Sequence, residues 1–172
     1  RTTLSTLAYR RRVFPWHAVR GSLHSLSPII SVTEPAASEL YLTRPGSVNH
    51  LVVRPQDLRH LPRLTNGDID LRVQAAGLNF RDVLNMLDLD PTRTVRPLGL
   101  ECSSVASSAG RRVSHVCSGA SVYGMAMGCL ASVVCTDARL QVRMPRAISF
   151  EEACTLPILW CTIRLALGEC MQ

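Results

Sequence analysis

Short strand-like segments separated by turn residues constrain the fold of this chain more than any other feature. After the turn-prone pair Asn66–Gly67, apolar Ile69, Leu71 and Val73 alternate with polar residues, which predicts a half-buried strand. Short strands with frequent turns are typical of a small β-barrel or sandwich. The same pattern predicts strands over 41–42, 51–53, 101–109, 113–116, 121–124, 130–135 and 140–142.

Helices are predicted in two places from their N-terminal signals. Apolar residues recur at helical spacing after Asn79, a suitable N-cap, and this helix should end before Pro91. Ser149 and Glu152 form the S-x-x-E pattern of a capping box, which opens a second helix. Pro157 should break or restart that helix. The apolar segment after Pro157 is apolar on several faces and needs a surface to pack against.

The basic residues of the chain exclude several functions. All 19 are arginine, and without lysine the chain cannot form a Schiff base. The formal net charge is +6, but most arginines are scattered singly and aromatic residues make up only 5% of the chain. A nucleic-acid-binding face with stacking aromatics is therefore not predicted.

The cysteines indicate the compartment. There are seven, an odd number, with no C-x-x-C pair, and most lie in apolar runs. This favours a reducing compartment, the cytoplasm or another, without a disulfide framework. Residues 1–36, rich in Arg, Ser and Thr, are interpreted as a linker or the edge of a preceding unit, although their composition also fits a transit peptide and so leaves a plastid open. No apolar run is long enough to predict a membrane span.

Four blocks of sequence resemble the enoyl reductase domains of modular polyketide synthases. These domains belong to the zinc-independent medium-chain dehydrogenases/reductases, together with quinone oxidoreductases. The matching blocks are LTRPGSV (42–48), AAGLNFRDVL (75–84), PLGLEC (97–102), and the series from DARL (137–140) through SFEEA (149–153) and TLP (155–157) to Thr162.

The resemblance implies a mainly β fold with a few helices, a GroES-like, partly open β-barrel truncated before a Rossmann domain. It implies a substrate-side domain over 37–156 and, over 157–172, the start of a helix leading into that missing domain. No glycine-rich phosphate loop follows a strand, so the main NADPH site is expected outside the chain. The implied reaction is NADPH-dependent reduction of an α,β-unsaturated acyl thioester on an acyl carrier protein. The implied partners are the other domains of a megasynthase, with a homodimer as a further option.

The resemblance also suggests site residues. Asn79 and Thr162 match residues near the nicotinamide; the alternatives are that Asn79 is an N-cap alone and that Thr162 is a buried threonine bonding back to a carbonyl. Asp90 replaces a tyrosine that influences protonation in some relatives, so it is the catalytic candidate, the catalytic residues being otherwise unknown. Zinc-dependent relatives carry a cysteine and a histidine in the loops around Asn79 and Glu101; both are missing here, so no metal site is predicted.

Other interpretations of the chain and its residues stay open. The parent protein could be a non-catalytic structural module of a megasynthase, or a stand-alone quinone or enone reductase. The fragment alone is expected to be inactive. Phe80 and Leu84 are expected to pack in the core, Asp82 to pair with Arg81 or hold its loop, and Glu101 to need a partner if it is buried.

Overall fold

The computed structural model describes residues 37–90 and 96–169, and the predictions for 1–36 lie outside them. The described residues form a mainly β fold with seven strands and three α-helices. The strands are β1 (Ser38–Leu42), β2 (Leu51–Pro55), β3 (Asp68–Gly77), β4 (Glu101–Ala109), β5 (Ser121–Met125), β6 (Val133–Asp137) and β7 (Gln141–Arg143). The helices are α1 (Phe80–Met86), α2 (Phe150–Ala153) and α3 (Pro157–Glu169).

Five of the strands form one antiparallel sheet in the order β6-β3-β4-β5-β7. Strands β1 and β2 form a separate antiparallel pair. The pair is joined to the chain before β6 by hydrogen bonds from Leu40 N to Leu130 O and from Ser132 N to Ser38 O, both 2.8 Å. Because β6 and β7 end the strand order without pairing with each other, the sheet stays open within the described residues, as a partly open barrel requires.

The core lies against β3, as the alternation in the sequence predicts. Ile69, Leu71 and Val73 are buried, whereas Arg72 on the opposite face is exposed. Strand β3 pairs with both β4 and β6, so both of its edges are hydrogen-bonded, and β4 holds the central place in the strand order. The period-two pattern therefore identified the strand that organises the sheet.

The strand predicted over 113–116 is wrong. This segment is a loop, and it contributes the buried side chain of Val116 to the core. Strand β4 is already paired with β3 on one side and β5 on the other, which leaves no partner for a further strand there. Strand β6 also begins later than predicted, at Val133, because the N–H groups of Leu130 and Ser132 donate outside the main sheet, to Leu98 O and Ser38 O.

None of the helices within 37–90 and 96–169 combines the length and the hydropathy that crossing a bilayer requires.

Candidate functional site

A tight loop joins β3 to α1 and carries Asn79. Asn79 is the N-cap of α1, and its backbone N–H donates to Asp82 Oδ2 at 3.1 Å. The other oxygen of the same carboxylate accepts a hydrogen bond from Gly99 N at 2.9 Å. Asp82 is buried, so it fixes the loop to the turn before β4. The expectation that Asp82 holds its loop is therefore met.

The expectation that Phe80 packs in the core is wrong. Phe80 is 73% exposed, and Leu84 is half-buried. The inward face of α1 is polar instead, because Asp82 and Asn85 are its buried residues. The Asn85 side chain donates to Arg96 O at 2.8 Å, so polar contacts anchor the helix and Phe80 faces outward.

Glu101, the first residue of β4, is buried and joins the Asn79 loop to α3. Its Oε2 accepts a hydrogen bond from Ile158 N at 2.9 Å, and its carboxylate also interacts with the Asn79 side chain. We call these three residues, Asn79, Glu101 and Ile158, the Glu101 junction. Burial raises the pKa of Glu101, and the hydrogen bonds from Ile158 and Asn79 partly offset that rise.

Gly77 makes room for the Glu101 side chain. A Cβ atom on Gly77 would lie 2.8 Å from both Cγ and Oε1 of Glu101 and 2.9 Å from the carbonyl oxygen of Cys154. These separations are shorter than carbon contacts allow, so only glycine fits this position while Glu101 keeps its place. The junction is therefore packed on its β3 side by bare backbone.

Thr162 lies one turn beyond Ile158 on α3. Its hydroxyl donates to Ile158 O at 2.8 Å, the back-bonding expected of a helical threonine. The residue is exposed, however, so the alternative of a buried, back-bonding threonine is met in its hydrogen bond and not in its burial. The helix begins at Pro157, whose missing N–H suits that position, and the Glu101 carboxylate accepts from the next residue.

Two of the three predicted site residues, Asn79 and Thr162, lie on elements that are joined to each other, and Asp90 lies apart from them in sequence. The Glu101 junction connects Asn79 to the helix that carries Thr162. Asp90 lies beyond the C-terminal end of α1, half-buried and directly before residues 91–95, which are outside the described range. The roles of Asn79, Thr162 and Asp90 stay predictions.

Sequence reasoning missed the link between Glu101 and the start of α3. The signal present was an acidic residue in the apolar block PLGLEC, which required a partner if buried but did not identify it. The sequence does not show that Glu101 requires a glycine at position 77, because a glycine before a helix is also typical of an ordinary turn.

Buried thiols surround the junction, and burial suppresses the thiolate form of Cys154. Cys102, Cys129 and Cys154 are buried free thiols. Burial is the main cause that raises the pKa of Cys154 to about 12, so little of it is thiolate at neutral pH. Within the described ranges, no group of three or more His, Cys, Asp or Glu residues is placed to hold a metal ion.

Comparison with known proteins identifies the family. No protein-family model matches the chain. The highly reducing polyketide synthase ZEA2 of Gibberella zeae is 35% identical over 148 residues, which are 84% of this chain and 6% of the synthase. The crystal structure of the CurK enoyl reductase matches with a TM-score of 0.69 and 32% identity, over 77% of this chain and 42% of CurK. The chain belongs to the enoyl reductase and quinone oxidoreductase family.

Within this family, the chain corresponds to the N-terminal, GroES-like part of an enoyl reductase. It thus spans less than half of the CurK enoyl reductase. The Escherichia coli quinone oxidoreductase, solved in complex with NADPH, shares the fold at 24% identity and a TM-score of 0.63 over 40% of its own length.

Proposed function

We propose that the chain is the substrate-side part of an NADPH-dependent enoyl reductase that reduces an α,β-unsaturated acyl thioester on an acyl carrier protein. The observation that carries the proposal is the Glu101 junction. It holds the loop of Asn79 and the helix of Thr162 together, and these are the two elements that the family resemblance assigns to the nicotinamide. The identity to polyketide synthases supports the substrate class.

The residues present fit one end of the cofactor. Asn79 is half-buried and Thr162 is exposed, so both offer polar groups to a ligand. The Thr162 hydroxyl uses its hydrogen on Ile158 O, which leaves its lone pairs to accept from a carboxamide N–H. When bound, NADPH supplies the hydride. Asn79 and Thr162 would orient its nicotinamide end, and no glycine-rich loop for its pyrophosphate follows a strand in this chain.

Exposed apolar side chains beside Asn79 suit the acyl part of the substrate. Leu78 and Phe80 flank Asn79 directly and are 52% and 73% exposed. Small-molecule sites combine apolar side chains with a few polar groups in a concave pocket, and these two side chains would supply apolar contacts on one side of such a pocket. Asp90 is the proposed proton donor from this chain, and it can donate only in its protonated form.

A chimera tests the proposed function. Residues 37–169 would replace the corresponding part of the CurK enoyl reductase, and oxidation of NADPH would be followed with a crotonyl thioester. We expect turnover in the chimera and none in the 172-residue chain alone. A quinone substrate added to the same assay distinguishes a quinone reductase, and a chimera that binds NADPH but reduces neither substrate would favour a non-catalytic module.

The partners and the compartment follow from the same proposal. The carrier protein and the remaining domains of a megasynthase would be the partners, since the relatives of the chain are regions of such synthases, and the full protein could dimerise. The buried free thiols support a reducing compartment such as the cytoplasm. Nothing in this proposal calls for a metal ion or nucleic acid.

A further inference from the structure

We propose that Glu101 is a positioning residue that sets the placement of the Thr162 helix relative to the Asn79 loop, and so the alignment of hydride transfer. The inference rests on the proposed function for its catalytic consequence. Its structural part, that the carboxylate anchors the start of α3, concerns this chain alone.

The contact between Glu101 and Ile158 joins the main sheet to α3. Glu101 begins β4 in the middle of the main sheet, whereas Ile158 is the second residue of α3 and lies 57 residues later along the chain. The first N–H groups of a helix have no partner within the helix. Here the acceptor for one of them comes from the sheet, so the carboxylate acts as an N-terminal cap from another element.

Apolar packing along α3 is weak beyond its first residues. The loop between α2 and α3 is short, and α3 presents large apolar side chains to solvent along its length. Leu159 and Trp160 are 55% and 62% exposed, and Leu165 and Leu167 are 58% and 59% exposed. Because packing of these side chains contributes little in this chain, the polar contact at Ile158 has a large share in fixing the start of the helix.

The Glu101 carboxylate is confined by its neighbours. The Glu101 side chain lies close against the backbone of Gly77, with the carbonyl of Cys154 on the same side, so that a Cβ atom at position 77 would displace it. The backbone carbonyl of Glu101 accepts a hydrogen bond from Cys129 Sγ at 3.2 Å, which fixes the residue from behind. Glu101 is thus held at the distance that suits both Asn79 and Ile158, and a shift there would displace the two proposed nicotinamide contacts relative to each other.

Amide exchange in the 172-residue chain tests the anchor without any assay of activity. By NMR, Glu101→Ala should speed exchange of the Ile158 amide about tenfold, as loss of a helix cap implies. Glu101→Gln should restore most of the protection, because its side-chain oxygen can accept the same bond. Gly77→Ala should speed the exchange by displacing an intact carboxylate, whereas Gly67→Ala, where a Cβ meets nothing within 4 Å, should not.

Kinetics of the chimera test the catalytic part. Glu101→Ala should lower kcat about tenfold, a fraction of what a misplacement of about 1 Å costs, and raise the isotope effect with NADPH deuterated at the transferred position. Glu101→Gln should restore both. Val134→Ala, a core variant in β6 remote from the junction, controls for lost stability and should leave the isotope effect unchanged.

The outcomes separate the two proposals. If Ile158 exchange is the same in Glu101→Ala as in the unsubstituted chain, the anchor is refuted whatever the activity. An inactive unsubstituted chimera refutes the proposed function but leaves the exchange result standing. If Val134→Ala changes kcat and the isotope effect as Glu101→Ala does, Glu101 has only a structural role and the positioning inference fails.

Discussion

At the scale of single residues, the carboxyl group of Glu101 joins the two elements of the candidate site. Glu101 is buried beside Asp82, Cys102 and Cys154, and the donors that compensate its charge within 37–90 and 96–169 are neutral, namely Ile158 N–H and the Asn79 side chain. No arginine in the described residues forms an ion pair with it. The charged form of Glu101 is therefore expensive to bury, and this is the cause of its raised pKa.

That raised pKa predicts how stability depends on pH. Between its unfolded and folded pKa values, Glu101 binds more protons in the native state than in the unfolded state. The free energy of unfolding should therefore fall as pH rises through that interval. Glu101→Gln removes this contribution, so the variant should lose less stability than the unsubstituted chain on raising the pH. Urea unfolding at a series of values between about pH 5 and 8 measures the difference.

The control for this comparison is Glu39→Gln, which makes the same change at a surface carboxyl paired with Arg54. It should leave the slope of stability against pH unchanged. Parallel slopes for Glu101→Gln and the unsubstituted chain would contradict the prediction.

The identity of Glu101 as a buried acid could be anticipated from its apolar surroundings in PLGLEC. Its partner could not, because residues that are 57 positions apart meet only through the tertiary fold. Phe80 shows the opposite case. Its helical spacing with Val83 and Leu87 pointed to the core, but the buried face of α1 is formed by Asp82 and Asn85, so polar hydrogen bonds outweighed the apolar periodicity.

At the scale of elements, local capping signals predicted the helix starts well. Ser149 and Glu152 form the reciprocal capping box that the sequence indicated, with Glu152 N donating to Ser149 Oγ at 3.2 Å and Ser149 N donating to Glu152 Oε2 at 2.8 Å. Such signals involve residues close in sequence, so they do not depend on the rest of the fold. Strand pairing depends on the rest of the fold, and for that reason the strand prediction at 113–116 is wrong.

Removing the cap should destabilise the chain measurably. Ser149→Ala deletes the acceptor for Glu152 N–H, and we expect a loss of about 1 kcal/mol in the free energy of unfolding. Urea or thermal unfolding followed by circular dichroism measures the loss.

Ser114→Ala, an exposed serine in the loop before β5, is the matched control and should change the stability little. Equal effects of the two substitutions would show that the capping box does not stabilise α2.

At the scale of the whole molecule, stability should depend strongly on β3, because it is paired along both edges and its residues Ile69, Leu71 and Val73 belong to the core. Leu71→Ala empties a fully buried position in this strand, and we expect a loss of about 2–5 kcal/mol. Leu140→Ala removes the same atoms at a position that is 48% exposed and should cost much less. Chemical unfolding of both variants makes the comparison, and similar losses would contradict a core centred on β3.

The fold class was predictable from sequence because the alternating strands, turn residues and family blocks agree with one another. The placement of the Thr162 helix relative to the Asn79 loop was not predictable, because it depends on the contact between Glu101 and Ile158, which lie in different elements.

The fit between Gly77 and Glu101 has a consequence for how this sequence can vary. A side chain at position 77 requires a shorter residue at position 101 and a shift of the Cys154 carbonyl, and a shorter residue at position 101 removes the acceptor for the Ile158 N–H. The dependence runs one way, because glycine at position 77 tolerates a smaller residue at position 101. A related sequence with a side chain at position 77 and a shorter residue at position 101 would lack this contact between sheet and helix, even where its NFRDVL block is intact.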